Sequence, residues 1–254
     1  MKVVIIGSGN VATILALKLQ SKGYNIIQVY SQELAHAKIL ANKLHTNATN
    51  DVKEIVANAD LYLLAVADKA VPILAEQLLI NANAIVVHTA GSISIKVLEK
   101  CSKNYGVLYP IQSIRKNMDI DTPIPFAIDG SNETVIETLT SLAKNLQEKV
   151  VHFTDEQRLK LHVAAVIASN FVNYLYKESA TICHNEQIDF SILQPLIEET
   201  ALRLRNYPPA DVFTGPAVRK DYTTIDKHLQ LLQNYPEQLA LYQFITERIL
   251  QNKI

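Results

Sequence analysis

The chain predicts an α/β protein: a doubly wound, mostly parallel sheet followed by a smaller all-α domain. Three features carry this expectation. A strand, a glycine turn and a helix stand at the N-terminus; apolar runs alternate with helical stretches as far as residue 153; and from Thr154 the patterning is helical only.

The first unit reads Lys2-Val3-Val4-Ile5-Ile6, then Gly7-Ser8-Gly9-Asn10-Val11-Ala12, then helix formers to Gln20 with Gly23 just beyond. A second apolar run, Ile26-Ile27-Gln28-Val29-Tyr30, closes a βαβ unit, the setting a dinucleotide fingerprint requires. Gly7 permits the tight turn, Gly9 lets the backbone approach a pyrophosphate, and Ala12 lets helix and strand pack closely. The helix start then offers free N–H groups and a positive dipole end to phosphates. This is a Rossmann domain with a bound dinucleotide, or a Rossmann-like fold whose cofactor site has decayed.

Helices are expected over 32–43 and 51–57, and Leu61-Tyr62-Leu63-Leu64-Ala65-Val66 reads as a strand covered on both faces. A helix over 71–79 precedes a strand at 84–87, which opens into His88-Thr89-Ala90-Gly91-Ser92. The next strand, 106–109, ends in Tyr109-Pro110-Ile111-Gln112-Ser113; a strand at 126–128, a helix over 132–147 and a strand at 150–152 follow. Ligands on such sheets bind outside the carboxyl ends of the strands. The expected cofactor-binding residues are therefore Gly7, Ser8, Gly9, Asn10, Val11, Ser31, Gln32, Ala65, Val66, Ala67, Thr89 and Gly91.

Thr154-Asp155-Glu156-Gln157 has the spacing of a capping box and opens a helix expected to run to about residue 184. Its middle, from Val163 to Val172, is apolar almost all round, which predicts burial in a domain core or a subunit interface. Further helices are expected over 190–206, about 224–233 and 237–251. The domains are thus residues 1–153, for dinucleotide binding, and 154–254, for substrate binding or dimerisation.

Polar residues interrupt the apolar helix. His162, Ser169 and Asn173 fall within about 40° of each other at 100° per residue, with Asn170 further round. Buried polar groups need partners. The stripe is either a hydrogen-bond network between helices or the lining of a cleft facing the nicotinamide, and spacing does not decide. A second cluster runs from Thr214-Gly215-Pro216 to Arg219 and Asp221, with His228 beyond. It is a solvated connection or a guanidinium for a carboxylate or phosphate.

Composition narrows the classes. With 24 basic and 25 acidic residues there is no electrostatic case for nucleic-acid or membrane partners. Cys101 and Cys183 lack the spacing of a disulfide scaffold or zinc site, so no metal is expected. A strand beginning near residue 3 leaves no room for a signal peptide, and no apolar run is long enough to span a membrane. A soluble, cytoplasmic protein is expected.

These residues resemble a bacterial family with a Rossmann domain like that of pyrroline-5-carboxylate reductase and NADP oxidoreductases, followed by a helical domain of unknown function. The resemblance spans essentially the whole chain. It rests on Gly7–Ala12, Val66-Ala67-Asp68, His88–Ser92, Tyr109–Ser113, His162 with Ala164-Ala165-Val166 and Asn170, and Thr214-Gly215-Pro216 through Arg219, Asp221 and His228. It implies a homodimer formed through the helical domain. The family's usual His-Pro is Tyr109-Pro110 here, and Gln32 replaces a common basic residue. Read from the residues alone, the tip of the second strand, Tyr30-Ser31-Gln32, carries no carboxylate to repel a 2′-phosphate, so NADP is favoured over NAD.

Two functions compete. One is an NADP-dependent reductase acting on a small, anionic carbonyl or imine substrate, with His88, Gln112, His162, Asn170 and Arg219 as catalytic candidates and Asp221 orienting Arg219. The other is an NADP-binding sensor or scaffold without turnover, since only Lys160 lies near the place of a catalytic lysine in the long helix.

Overall fold

The computed structural model describes residues 1–251, and the chain divides into two compact units, one ending at Ser169 and one beginning at Asn170. The first unit carries eight strands: β1 (Lys2–Ile6), β2 (Asn25–Tyr30), β3 (Asn47–Thr49), β4 (Leu61–Leu64), β5 (Ile85–His88), β6 (Asn104–Pro110), β7 (Phe126–Gly130) and β8 (Val150–His152). Its helices are α1 (Asn10–Ser21), α2 (Leu34–Leu44), α3 (Val71–Gln77), α4 (Glu133–Asn145) and α5 (Asp155–Ala165). The strands form one sheet in the order β3-β2-β1-β4-β5-β6-β7-β8. All pairings are parallel except β6 with β7. This is the expected α/β architecture.

Strand alternation builds two apolar layers, one on each face of the sheet. Val3 and Ile5 point to the layer with Ile14, Leu40 and Leu139, while Val4 and Ile6 point to the layer with Leu74 and Leu98. The winding reverses at β1, which pairs with β2 on one side and β4 on the other. Such a switch point opens a crevice at the carboxyl ends of the strands. Gly7 lies there with φ +125°, and a Cβ on it would stand 2.2 Å from the Ala65 carbonyl oxygen. Only glycine fits that turn.

Several expected elements differ. Residues 51–57 hold only a 3₁₀ turn, Val52–Glu54, because Ile55 is already extended. β3 was not expected: Asn47-Ala48-Thr49 is polar and short, and it is a strand only by pairing with β2. β4 ends at Leu64, leaving Ala65 and Val66 in the loop.

The sequence turns all-helical after β8, but the compact units part later than residue 153. α5 packs with the first unit, through Leu161 against Val107 and Tyr109 and through the buried Arg158. A π-helical segment, Val166–Phe171, follows α5 and leads into α6 (Val172–Asn185). The second unit continues with α7 (Gln194–Arg203), α8 (Tyr222–Leu231) and α9 (Pro236–Gln251). A 3₁₀ turn, Phe190–Leu193, replaces the first part of the helix expected over 190–206.

Burial of the 163–172 stretch within its own domain core is overturned. Val163, Ile167 and Phe171 are 53%, 55% and 58% exposed. No helix among the described residues is long and apolar enough to cross a membrane.

Candidate functional site

A cleft of about 890 Å³ opens at the carboxyl ends of the strands in the first unit. Gly7 to Val11 form its floor beside β1, Ser31 and Gln32 lie at the end of β2, and Ala65 to Asp68 follow β4. Thr89, Ala90 and Gly91 follow β5, and Tyr109 of β6 and His162 of α5 complete it. Four strand spacings separate β2 from β6 in the sheet order, which is about 19 Å.

At the β1 end, the chain enters α1 through Gly9, its N-cap residue, with φ −75° and no side-chain cap. A Cβ on Gly9 would meet nothing within 4 Å, so the backbone there faces open cleft. The first N–H groups of α1 have no partner within the helix, and no acidic side chain stands in its first turn. This is the local geometry of an anion site. Ser8 Oγ donates to Ser31 Oγ at 2.8 Å, tying the glycine turn to the tip of β2. Glu33 is the N-cap residue of α2, and the β2 tip itself carries no carboxylate.

At the β6 end, the Tyr109 hydroxyl and His162 Nδ1 are 2.9 Å apart, with the rings edge to face at 78°. Burial raises the Tyr109 phenol, and the charge of Arg158 opposes that rise. Gly91 makes room for the pair. A Cβ on it would stand 2.7 Å from His162 Nδ1 and 3.0 Å from the Tyr109 ring. Gly91→Ala is therefore expected to leave the fold intact, since the imidazole can swing away, but to break the Tyr109–His162 hydrogen bond. A crystal structure of the variant with that bond unchanged would contradict the expectation.

Residues 2–91 match the family described as NADP oxidoreductase, coenzyme F420-dependent, and residues 124–249 match a domain of unknown function, DUF2520. A candidate NADP oxidoreductase from Bacteroides fragilis is 36% identical with a TM-score of 0.93, over 99% of this chain and 98% of that one. The chain belongs to that NADP oxidoreductase family. A 1-pyrroline-5-carboxylate reductase from Streptococcus pyogenes, 12% identical, has the same fold with a TM-score of 0.69 over 99% of both chains. So does an imine reductase from Myxococcus stipitatus solved with NADP⁺, 13% identical, with a TM-score of 0.67 over 98% of this chain and 93% of that one. No curated protein matches the chain.

In this member of the family, Gly7, Ser8, Gly9, Asn10, Val11, Ser31, Gln32, Ala65, Val66, Ala67, Thr89 and Gly91 all line the one cleft, together with His162. Other expected residues lie elsewhere. His88 is fully buried and does not line the cleft; Nδ1 accepts from the Ala90 N–H at 3.1 Å and Nε2 has no partner among the described residues. Burial, then the charge of Arg158, lowers its pKa to about 4. It is a neutral core histidine, out of reach of a substrate. Gln112 is exposed and does not line the cleft; its amide donates to the Pro123 carbonyl at 3.3 Å.

Asn170, Arg219 and Asp221 belong to the second unit. Asn170 and Arg219 are exposed. Asp221 does not orient Arg219: its carboxylate caps α8, accepting from the Thr224 N–H at 3.1 Å and the Thr224 hydroxyl at 2.8 Å. Those bonds hold its carboxyl below the usual carboxylate range. Within the polar stripe, His162 lines the cleft; Ser169 and Asn173 do not.

Two residues were not expected to matter. Tyr109 stands where the family usually has histidine and was not among the catalytic candidates, yet it is the partner of His162. Arg158 reads in sequence as an ordinary charged helix residue and is 1% exposed.

Proposed function

We propose that the chain is an NADP-dependent reductase that transfers hydride to the carbon of a small carbonyl or imine substrate. The observation that carries this reading is a single cleft with an anion-binding helix start at β1 and a Tyr109–His162 pair at β6. The cofactor would supply the hydride; the chain's part is to bind it and to hold a proton where the substrate oxygen or nitrogen becomes basic. His162 engages Tyr109 through Nδ1, which leaves Nε2 as the atom able to present that proton. Family membership supports the nicotinamide cofactor, and the reductase folds support the reaction class by analogy.

NADP is preferred over NAD in this reading. The β2 tip offers the Ser31 hydroxyl, bonded to that of Ser8 in the glycine turn, and no carboxylate. His36, Lys43 and Lys116 line a small pocket that shares Ser8, and the two lysine ammonium groups suit a 2′-phosphate. NADPH should raise the melting temperature more than NADH at equal concentration, since a ligand at a hundred times its Kd stabilises by about 2.7 kcal/mol. A larger shift with NADH would overturn the preference, and no shift with either would overturn the reading. Turnover is then sought with keto acids and cyclic imines. Tight NADPH binding with none of these reduced would favour the sensor instead.

The partner in this proposal is a second copy. In the second unit the large apolar side chains Ile192, Leu196 and Phe244 are 72%, 61% and 58% exposed. Phe171, also in the second unit, is exposed as well, and so are Val163 and Ile167 of α5 and the segment after it; each is apolar surface that a homodimer would cover. Light scattering at micromolar concentration should report the mass of two chains; a monomer would count against it.

A further inference from the structure

We infer that Arg158 is a positioning residue that holds the His162–Tyr109 pair against Gly91, an inference that rests on the reading of His162 as proton donor. Arg158 is the largest fully buried side chain of the protein, at 1% exposure. Taking a guanidinium out of water costs several kcal/mol unless its donors are well met. Here they are met only in part. Nη2 donates to the Ile93 carbonyl and, at 2.7 Å, to Asp155 Oδ1, while Nε and Nη1 have no partner among the described residues. Replacing a buried ion pair by apolar residues of similar volume is often neutral or stabilising, so stability is a weak reason for a guanidinium here.

The bonds themselves show what the guanidinium does. Asp155 and Arg158 lie one turn apart near the start of α5, and both grip the same short segment after β5. Arg158 takes the Ile93 carbonyl, and Asp155 Oδ1 accepts the Ile95 N–H at 3.2 Å. Two residues before Ile93 is Gly91, the surface on which the His162 ring lies. Four residues after Arg158 on α5 is His162, on the same side of the helix. The clamp therefore joins the two elements whose spacing sets the His162 position. That spacing is tight: a single Cβ on Gly91 would already collide with the ring. The Arg158 charge also acts directly on the pair, opposing the rise that burial imposes on Tyr109. The hydrogen bonds around Asp155, from Ser94, Arg158 and Ile95, outweigh its burial and hold its carboxyl below the usual range, so the clamp stays ionised at neutral pH.

The test reads His162 directly. Full-length protein labelled with ¹⁵N in histidine and saturated with NADPH gives a side-chain spectrum in which His162→Gln identifies the His162 signals. Tyr109→Phe then shows how those signals look when the hydrogen bond is gone. Arg158→Lys keeps the charge but ends one bond short of the Nη2 atom that makes both bonds, so its ammonium does not reach both acceptors. Its expected spectrum moves His162 to the position seen in Tyr109→Phe, with a cooperative melt and NADPH affinity within about threefold. On any substrate found to turn over, kcat should fall about a hundredfold with KM little changed, the usual cost of misplacing a reacting group by about 1 Å. A folded Arg158→Lys protein with the wild-type His162 signals overturns the inference. If that variant does not fold, Asp155→Ala, at a partly exposed position, decides by the same signals. Failure of the proton-donor reading looks different: the clamp variants still move His162, but His162→Gln turns over normally.

Discussion

Gly9→Asp is expected to weaken NADPH binding at least a hundredfold while the protein keeps its fold and melts within a few degrees of the unmodified chain. The fold has nothing to lose at this position. Gly9 has φ −75°, ordinary for any residue, and a Cβ there would meet no protein atom within 4 Å. A carboxylate would project into the space kept open in front of the α1 N-terminus. Two like charges about 4 Å apart repel by about 4 kcal/mol at an effective dielectric near 20. A hundredfold loss needs only about 2.7 kcal/mol. The variant would also replace the phosphate as the anion seated on the helix dipole, stabilising the empty protein slightly. Isothermal titration with NADPH checks this, and unchanged affinity would remove the helix start of α1 from the cofactor site.

The sheet was legible because its signals are local. β1, the glycine turn and α1 carry their periodicity and their turn residues within twenty-odd positions, and the polar clusters at the strand ends follow from the parallel connection rule. What the sequence hid depends on partners distant along the chain. β3 is a strand because Asn47, Ala48 and Thr49 meet Gln28, Val29 and Tyr30, not because of their own propensity. His88 and Thr89 are adjacent, yet strand alternation sends one into the core and the other to the cleft. A one-residue difference in register reverses the two, and an apolar run does not fix register. Arg158 follows a capping box in a charged first turn, where a solvated side chain is the ordinary expectation. Only the approach of Ile93, 65 residues earlier, shows that it is buried.

The apolar middle of the long helix carried a different ambiguity. Its sequence demanded cover without saying from where, and the chain by itself leaves Val163, Ile167 and Phe171 in water. The hydrophobic pattern left a domain core and a subunit interface as alternatives, and the exposure of these side chains removes the first. The same helix carries His162, so the face that asks for a partner and the residue proposed to hold the proton belong to one element.

His162→Ala is expected to lower kcat by about a hundredfold to ten-thousandfold, the range for loss of a general acid, while NADPH binds with little change. The separation follows from position. His162 touches Tyr109 and Gly91 at the β6 end of the cleft, four strand spacings from the Ser8–Ser31 contact at the β2 tip. Removing the imidazole therefore leaves the phosphate end untouched, and the fold loses only a half-buried ring. Tyr109→Phe should cost less than His162→Ala, because it removes the group that orients the imidazole and leaves the proton on the ring. The order of the two effects is the discriminating result. If Tyr109→Phe is the more damaging change, the phenol itself faces the substrate and the histidine serves it, which the 2.9 Å contact permits equally on geometric grounds. If His162→Ala retains full kcat, the pair is structural, and the proton reaches the product from water entering the cleft.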